Sequence, residues 1–242
     1  MSIAEAIRPV SARPFSPAIW PGIAKAQIGC PTDVSEDVKL LRRVGAKIGF
    51  GRGETIFNDG DPADHAYEVV SGVVRLCKHM ADGRRQIAQF IMPGDFFSFM
   101  DMEEHSFSAE AVNDVVVFCY PQHQIERLAE ERRTMRKSFT AVLTRRVRDI
   151  QNHLVTLGRQ TAKEKVAAFL LFLADRSGSE DDCVLDVAMT RQDIADYLGL
   201  TIETVCRVLS AMKRDRLIGI PNLHQFIVRD IETLRAIADG ED

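Results

Sequence analysis

The chain contains no apolar run near the roughly 20 residues needed to cross a bilayer, so no membrane span is expected. Its opening segment, MSIAEAIRPVSARPFSP, lacks the apolar core of a signal peptide, and a cytoplasmic location follows by default. Cysteines are few and odd in number: Cys30, Cys77, Cys119, Cys183 and Cys206, with no C-x-x-C pair. That scarcity argues against a disulfide framework or a zinc site of the usual spacing. Basic excess is missing too, since 31 Lys and Arg stand against 35 Asp and Glu, a formal net charge of −4. Any nucleic-acid binding must therefore rest on a local patch. The six histidines are dispersed, which leaves a cupin-like barrel enzyme without its ligand cluster. No catalytic residue, metal or cofactor is expected.

What is present is an ordinary globular composition, 45% apolar and 27% charged, over 242 residues, enough for two domains. The most informative stretch is TRQDIADYLGLTIETVCRVLSAMKR, Thr190–Arg214. Thr190 can cap a helix whose apolar residues Ile194, Ala195 and Leu198 recur at helical spacing. Gly199 permits the left-handed backbone that ends it, and Thr201 can cap the next. The second helix buries Ile202, Val205 and Val208–Leu209 and leaves Glu203, Cys206, Arg207 and Ser210 outside. Two helices about a Gly-containing turn form a helix-turn-helix, whose second helix enters the DNA major groove.

The outward residues suit base reading. Arg207 can give two hydrogen bonds to guanine and Glu203 can accept from cytosine, and at i, i+4 Glu203 can also steady Arg207. The plainer alternative is a surface ion pair on a solvated helix. Thr190, Arg191 and Thr201, at helix starts, are candidates for phosphate contacts, with Ser210 and Lys213 along the second helix. Lys213, Arg214 and Arg216 form a basic end to that helix. Cys206 lies beside Arg207, so its oxidation would put bulk or negative charge against phosphates. The alternative is a small residue packed on a thymine methyl. Cys183 is a second redox candidate.

Upstream, residues 1–30 read as a leader or arm, and Ser35–Val44 as a short helix with Val38 and Leu41 inward. From Ala46 to Tyr120 short apolar runs alternate with Asp59-Gly60, Ser71-Gly72, Asp82-Gly83 and Pro93-Gly94. Such spacing predicts a compact antiparallel barrel or jelly roll, with Phe90, Phe96, Phe97 and Phe99 inside. A helical region then runs from Pro121 to about Leu157, with a break near Arg132–Thr134. Within it Leu143, Val147, Ile150, Leu154 and Leu157 alternate spacings of four and three, a narrow seam that predicts a homodimer stripe, the alternative being a helix packed on its own domain. Ala162–Ala174 predicts a core helix through Val166, Phe169, Leu170 and Leu173, followed by a polar loop at Ser177–Asp182. LIGIPNLHQFIVRD alternates about Pro221-Asn222 as a β-hairpin wing would, and Ile231–Ala238 closes the chain as a helix.

The fold expected is thus α+β: an antiparallel β-roll, a long dimerisation helix and a winged helix-turn-helix. Its divisions are an arm (1–34), a β-roll sensor domain (35–132), the dimer helix (133–158) and a DNA-binding domain (159–242). Over roughly residues 35–238 this resembles the CRP/FNR family of bacterial transcription regulators. The motifs that carry the likeness are GETIFNDGDPADHAYEVVSGVVRL, DGRRQIAQFIMPGDFFSF and TRQDIADYLGLTIETVCRVLS. The last is similar to the family's DNA-reading signature, its glutamate and arginine falling on Glu203 and Arg207. The Glu-x-x-Ser-Arg form of the FNR and FixK branches is here Glu203-x-x-Cys206-Arg207. The resemblance implies double-stranded DNA with TTGAT-like half-sites, RNA polymerase as a partner, and activation of low-oxygen genes as in the FixK branch.

Departures from the family pattern bear on the effector. Members that bind cyclic nucleotides carry Gly-Glu and Arg-Ser pairs; here the first region reads Phe97-Ser98-Phe99-Met100 and the second Phe107-Ser108-Ala109. Without the guanidinium a cyclic phosphate lacks its charge-assisted contact. The four thiolates of an iron–sulfur cluster are also wanting, since this N-terminus offers only Cys30. Cys77-x-His79 places two haem-ligand types on one strand face, although a strand-end thiol and a surface imidazole explain the pair as simply. Two readings remain: a regulator that binds DNA without an effector, and a sensor whose barrel binds haem or an unidentified small molecule.

Overall fold

The computed structural model describes residues 36–98, 103–159, 161–177 and 184–241. The expectations for the N-terminal arm, Phe99, most of the Ser177–Asp182 loop and Cys183 fall outside them. Contacts divide the chain at Ala141/Val142 into two compact units.

The first unit opens with α1 (Glu36–Val44), whose Leu41 is buried and Val38 half-buried. Among the described residues eight strands follow: β1 (Ala46–Phe50), β2 (Thr55–Phe57), β3 (His65–Ser71), β4 (Val74–His79), β5 (Arg85–Ile91), β6 (Phe96–Phe97), β7 (Ser108–Ala111) and β8 (Val115–Pro121). They pair antiparallel in two four-stranded sheets, ordered β1-β8-β3-β6 and β2-β7-β4-β5. Every strand gives at least one residue to a shared core that includes Phe50, Phe57, Tyr67, Val74, Ile91, Phe97, Ala109 and Val117. The two-residue period sends alternate side chains of β8 the other way. There Tyr120, with Ala66, packs on Leu41 of α1 and on Ile125 and Leu128.

Phe97 joins that core as expected, whereas Phe90 is buried outside it, its strand neighbour Ile91 being the core residue, and Phe96 joins the second cluster beside Tyr120. Neighbours on a strand face opposite ways, so Phe96 and Phe97 cannot share an interior. The four expected turn glycines all take positive φ. Gly72 is the most constrained of them, because a Cβ there would meet the Asp114 carbonyl oxygen at 2.3 Å.

Helices α2 (Gln122–Glu131) and α3 (Arg133–Arg159) are separated by Arg132, whose extended backbone (φ −128°, ψ 111°) is the break expected near Arg132–Thr134. At 1.5 Å per residue, α3 is about 40 Å long. It belongs to the first unit as far as Ala141 and to the second from Val142.

The second unit continues with α4 (Ala162–Ser177), β9 (Val184–Asp186), α5 (Arg191–Leu198), α6 (Ile202–Arg214), β10 (Ile218–Asn222), β11 (Gln225–Val228) and α7 (Ile231–Asp239). Val166, Phe169, Leu170 and Leu173 of α4 are buried, and α7 packs along that helix. The wing differs from expectation in two ways. It has a third strand, β9, paired to β11. Its turn lies at Leu223-His224, while Pro221-Asn222 ends β10. Pro221 is tolerated there because β10 is an edge strand and needs no donor on its open side.

Candidate nucleic-acid interface

Three local devices fix α5 and α6. Thr190 and Asp193 make a capping box: the Thr190 hydroxyl accepts from Asp193 N–H at 3.1 Å, and the Asp193 carboxylate accepts from Thr190 N–H at 3.0 Å. Gly199 ends α5 in the left-handed region (φ 63°, ψ 39°), and Leu200 N–H closes back on Ala195 O. Thr201 then caps α6 by accepting from Thr204 N–H. Ile194, Ala195 and Leu198 of α5 and Val205, Leu209 and Met212 of α6 are buried, which anchors both helices on one core. Ile202 and Val208, expected to be buried, are only half-buried, and Met212 is buried in addition.

Glu203, Cys206, Arg207 and Ser210 all lie exposed on the outer face of α6. Glu203 is not steadied by Arg207: among the described residues no ion pair joins them. Its carboxylate is held below the usual range by its own backbone N–H and by the Thr201 hydroxyl, as expected for an anion at a helix start. That leaves the Arg207 fork turned to solvent. Ser210 donates to Cys206 O at 2.8 Å, so its hydroxyl is engaged by the helix itself.

The candidates for backbone contacts are placed unequally. Thr201 and Lys213 are exposed, and Thr190 is half-buried with its hydroxyl committed to the capping box. Arg191 stacks over the Phe226 ring, 4.4 Å from its centroid, with Nη1 buried and burial lowering its pKa. It ties α5 to the wing more than it reaches outward. The sequence missed the wing tip, where Leu223 is 74% exposed, for want of a turn dipeptide at Leu223-His224.

The seam on α3 splits into two groups. Val147, Ile150 and Leu154 are 53%, 57% and 69% exposed, an apolar stripe left open by the described residues of its own chain. Leu143 and Leu157 are half-buried, and Leu157 lies over the turn between α5 and α6, 3.6 Å from where a Cβ on Gly199 would be. A second face of α3 holds that helix to α4 and α5. His153 stacks on Tyr197 with ring centroids 4.0 Å apart, and Asp149 faces Arg176 at 3.7 Å.

In the first unit, Cys77 is a buried mid-strand thiol, not a strand-end one, and the exposed His79 lies beside it. His79 Nε2 is 3.6 Å from Cys77 Sγ and 2.9 Å from Glu110 Oε1. Arg75 donates from Nε and Nη2 to Glu110 Oε2 at 2.8 and 2.6 Å. Burial, then the nearby Glu110, pushes the Cys77 thiol up to about 12. Sequence spacing gave no sign of Glu110 in this group; the pairing of β4 with β7 puts it there.

Comparisons with known proteins agree with this geometry. The family described as "Cyclic nucleotide-binding domain" matches residues 47–132, and the "Crp-like helix-turn-helix domain" matches 164–237. The chain is 37% identical to "Nitrogen fixation regulation protein FixK" of Azorhizobium caulinodans, over 98% of this chain and 97% of that one. It is 38% identical to "Transcriptional activatory protein AadR" of Rhodopseudomonas palustris, over 76% and 78%. Among solved structures it is similar to FixK2 from Bradyrhizobium japonicum, with TM-score 0.75 and 34% identity over 80% of this chain and 97% of that chain.

Proposed function

From the premise that this chain belongs to the CRP/FNR family of DNA-binding transcription regulators, we propose that it acts as a homodimeric activator at TTGAT-N4-ATCAA-like palindromes. The observation that carries this reading is the outer face of α6, where Glu203, Cys206 and Arg207 stand exposed on a helix locked at its start by Thr201. Two such helices, one per protomer, would enter major grooves about 34–36 Å apart on one side of the duplex. The uncovered Val147, Ile150 and Leu154 supply the contact between protomers, with the half-buried Leu143 at one end of it and Leu157, which also packs over the Gly199 turn, at the other. Thr190, Arg191, Thr201, Ser210 and Lys213 border the phosphates, Thr190 and Arg191 through the helix start they shape. RNA polymerase is the partner such an activator needs. The name of the Azorhizobium relative supports a role in nitrogen-fixation genes, and the likeness to the FNR and FixK branches adds low-oxygen genes. The division into arm (1–34), β-roll (35–132), dimer helix (133–158) and DNA-binding domain (159–242) serves this arrangement, and a cytoplasmic location suits it.

A cyclic nucleotide does not fit the β-roll. The Arg75 guanidinium is committed to Glu110, Phe107 stands uncharged before β7, and the core between the sheets is filled by Phe57, Tyr67 and Phe97 with centroids 5.2–6.0 Å apart. A cyclic phosphate needs a charge-assisted donor pair, and the carboxylate beside Arg75 repels it. DNA binding therefore requires no nucleotide. Cys206, exposed within the reading face, is the residue through which oxidation would weaken binding, and Cys183 is a second candidate.

The test is a gel-shift titration of the reduced, ligand-free protein on the palindrome and on half-sites substituted at the guanine. Arg207→Ala costs about 1–3 kcal/mol and flattens discrimination at that base pair. A variant that still discriminates as wild type does would remove Arg207 from base reading.

A further inference from the structure

The geometry points to a binding site for one borderline-soft divalent cation of the Zn(II) class on the β-roll, with Cys77, His79 and Glu110 as its ligands. On β4, residues 75, 77 and 79 share a face; on β7, Ser108 stands opposite Cys77 and Glu110 opposite Arg75. Three different donor types therefore converge on one point, and their ligand atoms all lie within 4.8 Å of one another. In a tetrahedral zinc site the sulfur–nitrogen edge is about 3.6 Å and the nitrogen–oxygen edge about 3.4 Å, given bonds of roughly 2.3, 2.05 and 2.1 Å. Here the corresponding separations are 3.6 and 2.9 Å. An ion is accommodated when His79 and Glu110 part by about half an ångström, a small side-chain movement on a paired strand frame.

The surroundings support the ligand set. Arg75 engages Glu110 through Oε2, which leaves Oε1 directed at His79. An outer hydrogen bond that orients a ligating carboxylate in this way is a regular feature of metal sites. The Arg75 charge, and Arg85 at 4.0 Å from the same oxygen, oppose the cation and moderate its affinity. The thiolate and carboxylate together balance its two positive charges. The His79 side chain is 55% exposed, so solvent reaches the fourth position. Sulfur and nitrogen donors exclude magnesium and calcium, which take oxygen ligands. A haem iron would take one of the three donors on a face and strand the others, whereas a small ion uses all three. Binding converts the Cys77 S–H to thiolate and releases that proton to solvent; His79 ligates through the Nε2 lone pair with its proton on Nδ1.

The full-length protein, reduced and stripped with a chelator, is titrated with cobalt(II) as the spectroscopic probe. The expected result is one equivalent bound, a near-ultraviolet sulfur-to-cobalt charge-transfer band, visible bands of four-coordinate intensity, and their loss when zinc is added. Cys77→Ser removes the charge-transfer band. His79→Ala, at an exposed position that the fold does not need, weakens binding at least about tenfold while circular dichroism stays unchanged. Serine at Cys30, Cys183 and Cys206 together leaves the spectrum intact. No charge-transfer band in the wild type, unchanged binding in His79→Ala, or a band lost when Cys30, Cys183 and Cys206 are replaced would each overturn the assignment.

Discussion

Leu154→Ala tests the dimer stripe most directly. Leu154 is the most exposed of the described large apolar side chains of α3, at 69%. Truncation removes three carbons, worth about 0.8 kcal/mol each when fully buried. Scaled to the surface now open to water, the loss is about 1.7 kcal/mol per chain. A twofold seam counts each residue twice, so the dimer loses about 3 kcal/mol, roughly a hundredfold or more in dissociation constant. Sedimentation equilibrium of the DNA-free protein reads that constant, and gel shifts on the palindrome should weaken in step. Val155→Ala is the control: Val155 is 60% exposed but one residue off the stripe, and its loss should leave the dimer unchanged. An unaltered dimer in Leu154→Ala, or equal losses in both variants, would refute the seam.

Three further outcomes follow from particular contacts. Burial, aided by Lys165, holds the pKa of His153 down to about 4. As pH falls below about 6.5 the unfolded chain takes up this proton first, so stability present at neutral pH is lost between about 6.5 and 4. After screening by solvent around a partly exposed ring this amounts to about 1 kcal/mol at pH 5. His153→Phe keeps the ring stack on Tyr197, and its urea midpoint should fall less from pH 7 to pH 5 than that of wild type. Gly72→Ala would drive a Cβ against backbone atoms of Asp114 and Val115 at φ +81°, costing about 3 kcal/mol or more, read as a lower Tm. Thr190→Ala removes the cap of α5 and a donor to the buried Asp193. It should cost about 1–2 kcal/mol in urea denaturation, with Thr190→Ser close to wild type.

The helix-turn-helix was readable because its signals are local. A hydroxyl at Thr190, a glycine at Gly199 and a second hydroxyl at Thr201 act within one turn of chain, and the structure uses each as its chemistry suggests. The break at Arg132 and the four turn glycines were legible for the same reason. Side-chain commitments were less so. Arg191 was placed by its position at a helix start, yet Phe226, 35 residues on, captures its guanidinium. Glu203 was matched to Arg207 by spacing, but the nearer donors at the helix start hold it.

By itself, the sequence determined the succession of β-roll, long helix and winged helix-turn-helix, and which face of α6 is turned outward. Those follow from periodicities and caps that each segment carries within itself. Only the tertiary structure decided that Phe96 leaves the barrel interior, that Leu157 serves the Gly199 turn, that β9 completes the wing, and that Glu110 joins Cys77 and His79. Each of these depends on the register between elements distant in sequence, and a one-residue slip in such a pairing would turn every side chain to the opposite face.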